Sequence, residues 1–98
     1  MLKLAMFTTK EGYITWLQNE IEAITNNGLK MALEDYERAI TGEGKEKWFE
    51  FNNLSNATED TRQYAWNSHI AFCQDQVKYM RRKIKKYERE ISKTMAMA

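Results

Sequence analysis

The clearest pattern of apolar and polar positions lies between Trp66 and Ile91. Apolar side chains stand at Trp66, Ile70, Cys73, Val77, Met80, Ile84, Tyr87 and Ile91, in alternating steps of four and three. Such heptad spacing keeps one narrow seam along a helix. Ile70, Val77, Ile84 and Ile91 fill one of the two seam positions, and all four are β-branched. The spacing therefore predicts a long helix packed along one side. Asn56-Ala57-Thr58-Glu59 offers a capping residue with an acid three positions on, and Glu59-Asp60 suit the positive end of a helix. The helix is expected over 57–93, roughly 54 Å at about 1.5 Å per residue.

Upstream, Ile14, Leu17, Ile21 and Ile24 repeat the three-four spacing, with Tyr13 and Trp16 beside them. Thr8-Thr9-Lys10-Glu11 fits a capping box, in which the threonine oxygen takes a free amide and Glu11 reaches back. This predicts a first helix over 9–26, stopped by Asn26-Asn27-Gly28, residues that accept left-handed backbone. Leu29, Leu33, Tyr36 and Ile40 then line one face of a second helix over 29–41, with Met31, Ala32 and Ala39 beside it. A glycine inside a helix costs only about 1 kcal/mol, so one helix kinked at Gly28 is the alternative. Thr41-Gly42-Glu43-Gly44 closes the segment.

The connector 42–56 carries Trp48, Phe49, Phe51 and Leu54. It fits a short helix or an irregular loop. Large apolar groups on a connector need a burial site, so they either plug the end of the core or form a partner patch. Trp48, Phe49 and Phe51 are the candidate partner-binding residues.

The expected fold is all-α: a single domain over 1–98, a bundle or hairpin of three helices, with a short fourth if the connector folds. The long C-terminal helix is its organising element. The first helix, at roughly 27 Å, is too short to cover the seam. Either the first two helices cover it in succession or a second chain covers the rest, and a homo-oligomer is the expectation. In a parallel dimer Cys73 would face its counterpart. In a monomeric bundle it would lie near Leu17 or Ile21. The tail Thr94-Met95-Ala96-Met97-Ala98 is expected to fray.

Composition adds constraints. The 98 residues include no proline, which permits long helices. One cysteine excludes an intramolecular disulfide framework and fits a reducing cytoplasm. Met1 to Phe7 is apolar but too short for a signal segment, and no run approaches a membrane span.

Charge changes the picture more. Residues 1–60 carry 6 Lys/Arg against 11 Asp/Glu, a net −5, whereas residues 61–98 carry 9 against 3, a net +6. The acidic half is an available neutraliser, within the fold or between protomers. The alternative is a basic surface for a polyanion. Lys78, Arg81, Arg82, Lys83, Lys85, Lys86, Arg89 and Lys93 crowd the end of the long helix, with Tyr79 and Tyr87 interleaved. Of these, Lys78, Arg81, Arg82, Lys85, Lys86 and Arg89 are the candidate polyanion-binding residues, for nucleic acid or a nucleotide. A basic-zipper DNA reader is not indicated, since no leucine follows Leu54 and the basic residues share the heptads.

His69 and Cys73 stand four apart on one helical face, which suits a thiol–imidazole pair or two metal ligands. No third ligand is near in sequence, and Cys73 falls in the seam, where a thiol acts as a small apolar group. Glu34, Asp35 and Glu37 lack the Glu-x-x-His pattern of carboxylate-bridged metal bundles. The glycines form no phosphate loop. Neither a catalytic centre nor a cofactor or metal site is expected. The expected function is a small non-enzymatic binding protein that works through its helical surface on a protein partner. By analogy, this would suit an inhibitor or regulator of a host system encoded by a phage or mobile element. The rivals are a nucleic-acid or nucleotide binder and a structural assembly subunit.

Overall fold

The computed structural model describes residues 7–97; Met1–Met6, most of the apolar start, and Ala98, the last residue of the tail, lie outside them. The protein is all-α, and no strand occurs among the described residues. Its elements are α1 (Lys10–Ala23), a π-helical segment (Ile24–Leu29), α2 (Lys30–Thr41), α3 (Lys45–Phe51) and α4 (Glu59–Met95).

α1 is capped one residue later than the sequence suggests. Thr9, not Thr8, has extended backbone and accepts the Gly12 amide at 2.9 Å through its hydroxyl. Glu11 therefore sits too early in the first turn to complete the box. The expected stop at Asn26-Asn27-Gly28 is absent. The helix runs on through the π-helical segment into α2, the single-helix alternative. A Cβ on Gly28 would come within 3.1 Å of Met80 Sδ. The glycine therefore serves a close approach rather than a helix end.

α2 ends where expected. Gly42 and Gly44 adopt φ of 81° and 74°, backbone that favours glycine. The amides of Gly42 and Glu43 donate to the Arg38 carbonyl at 3.0 and 3.1 Å. The connector folds as α3, and the Asn52 side chain donates to the Trp48 carbonyl at 2.8 Å near its end. Thr58 opens α4 by accepting the Thr61 amide at 3.2 Å. α4 outlasts its expected end. Thr94 is buried, and its hydroxyl donates to the Glu90 carbonyl at 2.8 Å. The tail is thus not frayed at Thr94.

The chain forms two compact units. The first takes α1, the π-helical segment and the α4 residues from Tyr79 onward. Tyr13 and Leu17 are fully buried there against Tyr87, with Phe7, Trp16, Ile21, Ile24 and Ile91 packed around them. The helices run antiparallel. Lys10 Nζ donates to the Met97 carbonyl at 2.9 Å, Tyr13 Oη donates to Glu90 Oε1 at 3.2 Å, and Gly28 meets Met80.

The second unit spans Met31–Lys78. Its core is Ala39, Phe49, Trp66 and Cys73, bordered by Tyr36, Trp48, Leu54 and Ile70. Trp66 is the hub. Its ring centroid lies 5.3 Å from Trp48, 6.1 Å from Phe49 and 5.0 Å from His69. Its indole N–H donates to the Ala39 carbonyl at 3.1 Å, near the end of α2, where carbonyls lack helical partners. The inward face of α2 differs from the expected one. Ala32 and Ala39 are buried and Tyr36 half-buried, while Leu33 and Ile40 are exposed. Small residues let the backbone come close enough for the indole bond, and the larger apolar residues turn outward.

All eight seam residues of α4 are buried or half-buried; Trp66, Ile70 and Cys73 pack in the core of the second unit and Tyr87 and Ile91 in that of the first. Cys73 packs in the core of α2 and α3 residues in the second unit, whereas Leu17 and Ile21, its expected neighbours, pack in the core of the first. The first helix is spent on Tyr87 and Ile91, which leaves α2 and α3 to cover Cys73.

Candidate functional site

The residues of α4 from Tyr79 to Met95 carry seven Lys/Arg and two Glu. No proline interrupts the helix, and Lys93 in the last turn suits the negative end of the helix dipole. Helical spacing of three and four then brings Tyr79, Arg82, Lys83, Lys86 and Arg89 along one side. With Tyr87 they line a cleft of about 540 Å³.

The cleft has a fixed floor and a charged wall. Tyr87 belongs to the first unit's core and meets Trp16 edge-on at 6.1 Å. Tyr79 stands at the rim with 49% of its surface open. The Lys83 ammonium lies 5.8 Å from the Tyr79 ring centroid, within range of attraction to the ring face. Arg82, Lys86 and Arg89 are exposed. Among the described residues no carboxylate lies within ion-pair distance of any of these cations. The two ion pairs among the described residues are Arg38 with Asp35 and Arg62 with Glu59, each between residues three apart. Glu90, the acid nearest in sequence to Arg89 apart from Glu88, accepts from Tyr13. Among the described residues the acidic half therefore neutralises none of the cleft cations by ion pairing; its one ion pair with the basic half is Glu59 with Arg62, at the start of α4.

Of the six polyanion-binding candidates, Arg82, Lys86 and Arg89 line the cleft. Lys78, Arg81 and Lys85 do not. Lys85 borders a neighbouring hollow with Glu88, Arg89 and Ser92. Lys83, Tyr79 and Tyr87 complete the cleft, and their spacing from Arg82 and Lys86 was the signal available. The partner-binding candidates separate as well. Phe49 is buried, Trp48 is half-buried against Trp66, and Phe51 is 88% exposed.

The Cys73–His69 pair is in contact, with Sγ 3.7 Å from Nε2. Burial, followed by the nearby Asp35 carboxylate, pushes the Cys73 thiol above its ordinary range, partly offset by Arg38. The thiol is held protonated, and a protonated thiol is a poor nucleophile. Among the described residues, no group of three or more His, Cys, Asp or Glu is placed to hold a metal ion. Likewise, no helix is long and apolar enough to cross a membrane. Asp35 is engaged by Arg38, while Glu34, Glu37 and Glu43 border a hollow on α2 together with Arg38 and Thr41.

No family model, curated protein or solved structure matches the chain.

Proposed function

We propose that the protein is a non-enzymatic nucleic-acid-binding protein whose working surface is the basic cleft of α4. One observation carries this reading. Arg82, Lys83, Lys86 and Arg89 converge on one cleft with no acid within ion-pair distance among the described residues. Holding like charges together is unfavourable unless a counter-charge arrives, and a phosphodiester backbone supplies a row of them. The buried, protonated thiol of Cys73 leaves His69 without an activated nucleophile, which favours binding over catalysis. The test is a gel-shift titration of single-stranded DNA, duplex DNA and RNA at low salt. A retarded complex with at least one of them is expected. Failure to shift any of them would refute the reading.

A second reading is favoured by the apolar stripe of α2. Leu33 and Ile40, one heptad apart, lie exposed on the same side of the helix. This suits docking of a protein helix, from another protein or from a second copy. Light scattering of the wild type and of Ile40→Asp separates these cases: a wild-type oligomer that falls to a monomer on substitution supports a second copy. A monomer in both removes it.

A further inference from the structure

We propose that the α4 cleft takes single-stranded rather than duplex nucleic acid, with an unpaired base stacked on the Tyr79 ring. This rests on the nucleic-acid reading above and adds the class of strand. Three features of the cleft point the same way.

The first is shape. The cleft is concave, about 540 Å³, and its rim and floor are aromatic. A duplex keeps its bases stacked inside and presents a backbone. A single strand presents unstacked bases that can enter a cleft and lie on an aromatic face. The second is the exposure of Tyr79. Its ring is 49% open and stands among the cations of the cleft, within reach of a ligand there. Lys83 holds its ammonium 5.8 Å from the ring centroid, so a strand whose base meets the ring brings its phosphates towards a cation already in place. The third is the lining chemistry. Among the described residues the cleft is lined by Tyr, Arg and Lys, with none of the Asn or Gln that pair bidentately with adenine edges in the major groove. Cations that follow the backbone and rings that accept any base are the parts of a sequence-tolerant single-strand site.

The test measures fluorescence anisotropy with the full chain at one fixed low salt. The probes are a labelled single-stranded oligonucleotide of mixed sequence, the duplex of the same sequence, and heparin as a competitor that has charge but no bases. The wild type should bind the single strand at least about tenfold tighter than the duplex. Tyr79→Leu should weaken single-strand binding roughly 5- to 100-fold, the span expected for one stacked base, and leave duplex binding within about twofold. Tyr79→Phe, which keeps the ring, should stay within about threefold of wild type. Equal or tighter duplex binding, or a Tyr79→Leu protein with unchanged single-strand affinity, would overturn the single-strand proposal and leave the nucleic-acid reading standing. Heparin displacing the strand equally well from wild type and Tyr79→Leu would also overturn it. Binding to neither strand form would overturn both. Because Tyr79→Leu could lower folding, a second measurement uses the native protein. Irradiation with a bromouracil-containing single strand should cross-link to the tryptic peptide that begins at Tyr79 and ends at Arg81. Cross-links found only outside residues 79–89 would overturn the proposal.

Discussion

Trp66 offers the sharpest test of how the second unit holds together. Its ring packs against Trp48, Phe49 and His69, and its N–H donates to the Ala39 carbonyl at 3.1 Å. Ala39 is buried, and the turn amides of Gly42 and Glu43 both donate to Arg38 instead. The indole therefore caps a carbonyl that the turn leaves open. Trp66→Phe keeps a ring but removes the donor. Leaving a buried acceptor unsatisfied costs about 1–3 kcal/mol, and the smaller ring adds roughly 1 kcal/mol for the void it leaves. The expected loss is about 2–4 kcal/mol. In a domain of this size that lowers Tm by roughly 10–25 °C. Replacing Trp66 by benzothienylalanine, in which sulfur stands in for the N–H, isolates the hydrogen bond at about 1–3 kcal/mol. Phe51→Ala is the control, since that ring is 88% exposed and such surface changes stay within about 0.5 kcal/mol. Melts followed by far-ultraviolet circular dichroism give all three numbers. A Trp66→Phe protein that melts within about 3 °C of wild type would refute the capping role and the placement of the α2 C-terminus.

Two further outcomes follow from buried titratable groups. Burial, then Glu90, raises the Tyr13 pKa above its ordinary 10.0. The folded chain thus holds the phenolic proton more tightly than the unfolded one, so this stability is whole below the ordinary pKa and is lost as pH climbs past it. Tm should fall as pH rises above the ordinary tyrosine value of 10.0, more steeply in wild type than in Tyr13→Phe; parallel curves would contradict this. Cys73 is 5% exposed with its thiol pKa raised, so a disulfide reagent should react slowly with the native protein and rapidly in denaturant. Rapid native labelling, or quick formation of a covalent dimer on mild oxidation, would show the thiol to be open.

Much of this fold is legible in the spacing of apolar residues. The seam from Trp66 to Ile91 is legible because a heptad repeat maintained over so many turns has one physical use, a buried stripe. The face of α2 is not. Its sequence carries two adjacent stripes, Leu29-Leu33-Tyr36-Ile40 and Ala32-Ala39, and counting hydrophobicity favours the bulkier one. Close approach favours the other, because Trp66 needs the Ala39 backbone within hydrogen-bond reach. Gly28 misleads for a related reason. A glycine that ends a helix and one that admits a neighbouring side chain, here Met80, look alike until the neighbour is known. In the cleft, the excess of cations is plain from sequence. Which of them converge depends on helical phase relative to the core, and that phase is what excludes Lys78, Arg81 and Lys85 and brings in Lys83 and Tyr79.

The proposed role of the cleft is tested most directly by the salt dependence of single-strand affinity. Each phosphate neutralised contributes a slope of about −0.7 to the plot of log affinity against log salt. With Arg82, Lys83, Lys86 and Arg89 engaged, the slope should be near −2.8. The triple variant Arg82→Gln, Lys86→Gln, Arg89→Gln retains one of the four and should fall to about −0.7. A triple variant that binds with the wild-type slope would contradict the account.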